Sequence, residues 1–221
     1  MKKKLFLIMA SVMLMMAGCQ KDNNANNGNE NGGNNPGDEP QTELLAPEIL
    51  SKEIVRLPTG FNTLFVKLRN PNNVYLDYGF NADFIRDGEY LGSLEWSGSI
   101  QPNEVVVGWA NGVSWGNHEI PDNIDEIVIN DLFYSESYYH PVKLNLIKEE
   151  LSGDGVLSLV YNAKEPFSIA SVYVVFYHDD QITCHDERIF LPGEELKCEM
   201  VATANFNRYE IYTNAYSDPV K

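Results

Sequence analysis

Beyond residue 60 the chain alternates apolar and polar residues at a period of two, the period of a half-buried β-strand. The alternation repeats. Laid 92 residues apart, Leu64, Val66, Leu68 and Asn70 fall on Val156, Ser158, Val160 and Asn162, and Tyr78, Phe80, Ala82 and Phe84 fall on Ala170, Val172, Val174 and Phe176. Turn signals follow in both halves: Asp87-Gly88 answers Asp179-Asp180, and Pro102-Asn103-Glu104 answers Pro192-Gly193-Glu194 at a two-residue offset. Glu126 to Asn130 then answers Glu210 to Asn214. No window carries a helical stripe, and turns recur about every ten residues, which predicts an all-β fold of two tandem antiparallel β-sandwich modules of about seven strands each. Val142 to Leu146 reads as the last strand of the first module, so Gly153-Asp154-Gly155 divides a first module, 44–152, from a second, 153–221.

The N-terminus has a different pattern. Lys2, Lys3 and Lys4 precede an uninterrupted apolar and small-residue run from Leu5 to Met16, which is too short to cross about 30 Å of hydrocarbon and has the length of a signal-peptide core. It ends at Met16-Ala17-Gly18-Cys19, which resembles the lipobox of bacterial lipoproteins, with Met16 where that motif usually has Leu. The resemblance implies that residues 1–18 are a cleaved signal peptide. It also implies that the Cys19 thiol takes a diacylglyceryl group, a palmitate-type anchor that holds the chain on the extracytoplasmic face. Gln20 after the cysteine resembles lipoproteins sent on to an outer membrane, where the cell has one. Of the sixteen residues Asn23 to Asp38, eight are Asn and four are Gly. Such a segment buries too little surface to offset its ordering entropy, so 19–43 is expected to be a disordered tether with a reach on the order of 25 Å.

Within the β region, Val174-Val175-Phe176-Tyr177-His178-Asp179 followed by Leu191-Pro192-Gly193-Glu194 resembles the small Ig-like domains of bacterial exported proteins, in particular the FxLYD-type group. Phe84-Ile85-Arg86-Asp87-Gly88 and Gln101-Pro102-Asn103-Glu104 are the matching stretches of the first half. Val174 stands where that motif has its first Phe, and His178 where it has Asp. The resemblance implies Ig-like modules with a spacer or binding role and transfers no catalytic residue.

Charge narrows the partners. The chain carries 32 acidic and 16 basic residues, and loss of the three signal lysines leaves thirteen against thirty-two, a net −19. A surface that acidic repels nucleic acid and anionic headgroups, so membrane attachment through the lipid is expected and nucleic-acid binding is not. Cys184 and Cys198 flank the turn at Leu191–Glu194, and a hairpin there brings them opposite each other, so a disulfide and a pair of buried thiols are both open readings.

Candidate chemistry is sparse. Gly112-Val113-Ser114-Trp115-Gly116 matches the G-x-S-x-G nucleophile elbow, with His118 or His140 as a partner base. Pro121 spoils the helix that the elbow needs, and no βα alternation surrounds it, so a Gly-rich loop between strands is the better reading. His178, Asp179, Asp180, Cys184, His185 and Asp186 include zinc-ligand types, but at no usual spacing and with neighbours pointing to opposite faces of a strand. Asp122, Asp125 and Glu126, or Asp83, Asp87 and Glu89, have oxygens for calcium without an EF-hand pattern. Neither metal, cofactor nor catalysis is therefore expected. Tyr90, Trp96, Trp109 and Trp115 are the candidate glycan-binding residues, with Ser97, Asn111 and Asn117 as polar neighbours and Tyr138, Tyr139 and His140 as an extension. The expected protein is a non-enzymatic lipoprotein whose modules act as a spacer or dock an exported protein or the cell wall, with glycan binding by the Trp-rich region as the alternative.

Overall fold

A computed structural model describes residues 44–111 and 120–219. The signal, Cys19 and the Asn/Gly tether lie outside the described residues. The described elements are all strands, and they fall into two series. The first is β1 (Glu48–Arg56), β2 (Asn62–Arg69), β3 (Leu76–Arg86), β4 (Glu89–Ile100), β5 (Val105–Ala110) and β6 (Glu126–Glu136). A short β7 (His140–Pro141) leads to the second: β8 (Leu144–Leu151), β9 (Val156–Ala163), β10 (Ile169–His178), β11 (Gln181–Phe190), β12 (Lys197–Val201) and β13 (Arg208–Ser217).

The sheet orders are β1-β2-β5 and β4-β3-β6 for the first series, and β12-β9-β8 and β11-β10-β13-β7 for the second. Strand for strand, these are the same topology. Both series turn from their third to their fourth long strand through a two-residue hairpin with left-handed backbone at both positions, Asp87-Gly88 (φ 52° and 78°) and Asp179-Asp180 (φ 51° and 66°). That is the primed turn whose twist matches a hairpin. Both then use a Pro-containing turn closed by a backbone hydrogen bond, Glu104 N–H to Gln101 O (3.2 Å) and Glu194 N–H to Leu191 O (3.1 Å), with Asn103 or Gly193 at positive φ.

The match corrects one expectation. Val142 to Leu146 does not close the first module: β8 pairs with β9, Val142 and Leu144 are buried in the second core, and β8 is the counterpart of β1. The second sandwich therefore begins ahead of residue 153. Each series also has six long described strands, not seven.

Inside the first sandwich, Leu64, Val66 and Leu68 of β2 meet Tyr78, Phe80, Ala82 and Phe84 of β3 with Leu94, Ile100 and Ala110. Inside the second, Leu157, Leu159 and Tyr161 of β9 meet Ala170, Val172, Val174 and Phe176 of β10. A third buried cluster lies between the sandwiches. Phe65, Val107 and Leu57 on the back of β1-β2-β5 pack on Tyr173, Val175, Tyr177, Ile182 and Tyr212 on the back of β11-β10-β13. The two sandwiches thus form four stacked sheets whose inner pair is covered on both faces. That is why Leu64-Phe65-Val66 and Val172 to Tyr177 read as continuous apolar runs whereas β3 alternates.

Candidate functional site

Three places gather polar or aromatic chemistry: the seam between the sandwiches, an open edge of the first sandwich, and the outer face of its outer sheet.

At the seam, Glu210 of β13 collects donors from three strands. Lys67 Nζ of β2 lies 2.9 Å from its Oε2, Tyr177 Oη donates to the same oxygen at 3.1 Å, Tyr212 Oη also donates to it, and an Arg208 guanidinium N–H meets Oε1 at 2.6 Å. Burial opposes ionisation of Glu210, but the bonds from Tyr212, Lys67 and Tyr177 outweigh it and hold its pKa down to about 2. The Arg208 guanidinium also sits 3.9 Å above the Tyr177 ring. A second polar tie crosses the seam. Gln101 Nε2 donates to Ala215 O (2.7 Å), Tyr75 Oη to Asn214 Oδ1 (2.8 Å), and Asn214 Nδ2 to Ser99 O (3.3 Å).

Between these ties, His185 of β11 is walled in by Trp109 at 4.3 Å, Tyr173 at 5.4 Å and Phe65 at 5.5 Å between ring centres. Burial pushes its pKa down to about 4, against weak opposition from Asp186. It is therefore neutral near pH 7, with Nδ1 buried and unpaired. The same burial raises the Tyr173 phenol well above its ordinary range and raises Glu187. His185 and Tyr173 are held inside a packed joint, whereas Glu187 is exposed.

The open edge lies between β1 and the segment leading into β6, around a cleft of about 600 Å³. Lys52, Ile54 and Arg56 project into it from alternate positions of β1. Lys52 Nζ donates to Ile127 O, Arg56 reaches Asp122 at 2.9 Å, and Asn62 Nδ2 donates to Ile120 O (3.1 Å), Pro121 O (3.2 Å) and Asp122 Oδ1 (2.9 Å). Asp125 is taken up by the Asp87 backbone N–H at 2.8 Å. Charges turned inward on an edge strand block further strand pairing, and here they also sew the sandwich shut. Of the carboxylates considered for calcium, Asp122 and Asp125 take part in these bonds, and Asp83 accepts from Asn130 Nδ2 at 2.6 Å. Among the described residues no three His, Cys, Asp or Glu side chains are placed to share a metal ion.

Of the aromatic set, Trp96 turns inward: its Nε1 donates to Tyr78 Oη at 3.3 Å and packs over Gly108. Trp109, on the opposite side of β5 from Gly108, faces the seam and stacks on Tyr173. Tyr90 is 62% exposed, and Trp115 is outside the described residues. The expected Trp platform is corrected accordingly, because Trp96 and Trp109 point into different layers and share no surface. Tyr138 and Tyr139 do form an exposed group, with Tyr139 4.6 Å from Tyr216.

Sequence reasoning missed the outer face of β4-β3-β6. With Tyr78, Phe80, Ala82 and Phe84 inward, Gly79, Asn81 and Asp83 face out, and the register places Ser97–Gly79–Phe133 in one row across the sheet. The available signal was Gly79 itself, since a glycine in mid-strand marks a place where another group comes close to the backbone.

Cys184 and Cys198 are both free buried thiols of the second core. The expected hairpin at 191–194 is instead a crossover: β11 pairs with β10 and β12 with β9, so the two cysteines belong to different sheets. Burial pushes the Cys198 thiol up to about 11, which leaves it unreactive. His178 and Asp179 form an exposed 3.7 Å pair, while Cys184 and His185 face opposite sides of β11, so the zinc-type residues do not converge. His140 lies opposite Ser217 in the β7–β13 pairing. Ser114, His118 and Asn117 are outside the described residues. Compared with protein-family models and with curated protein sequences, the chain matches none.

Proposed function

We propose that this protein is a non-catalytic, lipid-anchored display protein on the extracytoplasmic face of a bacterial membrane, in which two FxLYD-like sandwiches act as one stiff unit. The observation that carries the reading is the seam. Both inner sheets spend their second faces on each other, and Lys67–Glu210 and Gln101–Ala215 tie them polar group to polar group. A joint filled in this way transmits position, as a spacer or docking body must. Its ionisable groups are consistent with that role, since Glu210 is saturated with donors and His185 is enclosed by rings. Partners are sought among exported proteins and the cell wall, on the outward surfaces.

The anchor rests on Lys2–Lys4, the run Leu5–Met16 and Cys19. Two or three acyl chains give durable attachment where one is marginal. Cells fed an alkyne-tagged palmitate are expected to label the full chain in the membrane fraction, and Cys19→Ala is expected to abolish labelling and release the protein from membranes. Unchanged labelling in Cys19→Ala, or an unlabelled wild-type protein, refutes the anchor.

A further inference from the structure

We propose that the outer face of the β4-β3-β6 sheet binds a neutral oligosaccharide, with Phe133 as the ring on which a sugar stacks. This goes beyond the display role by giving one outward surface a ligand class. A Cβ on Gly79 would lie 2.0 Å from Phe133 Cζ and 2.5 and 2.6 Å from its Cε2 and Cε1. The two flanking carbons are only 0.5 and 0.6 Å farther than the tip, the spacing of a ring lying flat over the glycine; a ring standing on its tip holds them much farther off. One face of Phe133 therefore covers Gly79 while the other meets solvent, and the residue is 56% exposed in the middle of a sheet. An exposed apolar plane is costly in water and is the complement of the C–H face of a sugar ring.

Hydrogen-bonding groups surround that plane. Asn81 Nδ2 donates to Asp131 Oδ2 at 3.3 Å, and Asn130 Nδ2 to Asp83 Oδ2 at 2.6 Å. Each pair leaves carboxylate lone pairs, an amide carbonyl and an amide N–H for neighbouring hydroxyls. At the far end Tyr90 presents a second exposed ring, its hydroxyl donating to Ser93 Oγ at 3.1 Å. Tyr90 pairs with Ile85, and its hydroxyl reaches back to Ser93, which pairs with Asp83, four residues along β3 from Gly79, so the two rings bound a strip about 13 Å long, room for a short oligosaccharide.

Charge selects the ligand. Strands β3, β4 and β6 carry Asp77, Asp83, Glu89, Glu95, Glu126, Asp131 and Glu136 against a single cation, Arg86, at a strand end. An anionic polymer is repelled from such a face, and a neutral glycan is not.

The test is isothermal titration of the full chain in detergent micelles with cellohexaose, xylohexaose, mannohexaose, maltohexaose and chitohexaose, alongside polygalacturonate and poly-lysine. At least one neutral oligosaccharide is expected to bind. Phe133→Ala and Gly79→Ala should each weaken it about tenfold or more, and Phe133→Tyr should keep it. Tyr90→Ala, at an exposed position, supplies an arm free of folding effects and should also weaken the hexasaccharide that binds. Binding of none of the five, binding of the charged polymers alone, or unchanged affinity in both folded Phe133→Ala and Tyr90→Ala overturns the proposal. The palmitate experiment is independent of all these outcomes.

Discussion

His185 shows most clearly how one residue reports on its surroundings. Its folded pKa near 4 lies below its unfolded value, so between about pH 6.5 and 4 the unfolded chain binds the extra proton and stability falls as pH falls. From pH 7 to pH 5 this amounts to about 2 kcal/mol. His185→Phe, which keeps a ring among Phe65, Trp109 and Tyr173, should remove that share, as melting temperatures of both proteins at the two pH values would reveal; equal losses would place His185 in water. Glu210 has linkage of the same sign in a lower window: its depressed pKa contributes stability above pH 4.5 that is lost as pH falls toward 2. Glu210→Ala leaves Lys67, Tyr177 and Tyr212 without their shared acceptor and should cost about 2–4 kcal/mol in urea unfolding, whereas an exposed pair such as Arg56–Asp122 should cost under about 1. At this scale the sequence was hard to read. It places His185 beside acidic neighbours as a zinc candidate, and only the strand's orientation turns the ring toward Trp109 rather than toward Cys184.

At the scale of elements, the hairpins were the most legible parts, because a primed turn demands particular residues and leaves their trace. Asp180 takes φ 66° where the equivalent turn has Gly88 at 78°. Asp180→Gly should therefore stabilise by about 0.5–1 kcal/mol in thermal melts despite losing the Arg208 contact at 3.2 Å, since the aspartate is almost fully exposed. A loss of stability would mean that the ion pair outweighs the backbone strain. The 92-residue repeat matched β3 to β10 with the same residues facing inward, Tyr78 on Ala170 through Phe84 on Phe176. For the preceding strands it slipped by one. The inward residues of β9 are Leu157, Leu159 and Tyr161, not Val156, Ser158 and Val160, because six residues join β2 to β3 and five join β9 to β10. A one-residue slip exchanges faces, and mixed apolar residues on both sides of β9 hide it. β8 was misassigned for a related reason: Val142, Leu144 and Leu146 alternate like any strand, and alternation does not say which sheet a strand joins.

The whole molecule was legible as all-β and repeated, but not as stacked. Signals for the seam were present in Val105 to Ala110 and Val172 to Tyr177, which are apolar on both faces, yet they are equally consistent with strands at the centre of a single larger sandwich. The Trp residues were misread for that reason, since Trp109 is a seam residue and Trp96 a core one. If the seam makes one body of the two sandwiches, neither can melt while the other stays native. Calorimetry of the full chain in detergent tests this directly. One cooperative transition with equal calorimetric and van't Hoff enthalpies is expected, moving as a unit to lower temperature in Val175→Asp. Two separate transitions in the wild-type protein would contradict the account.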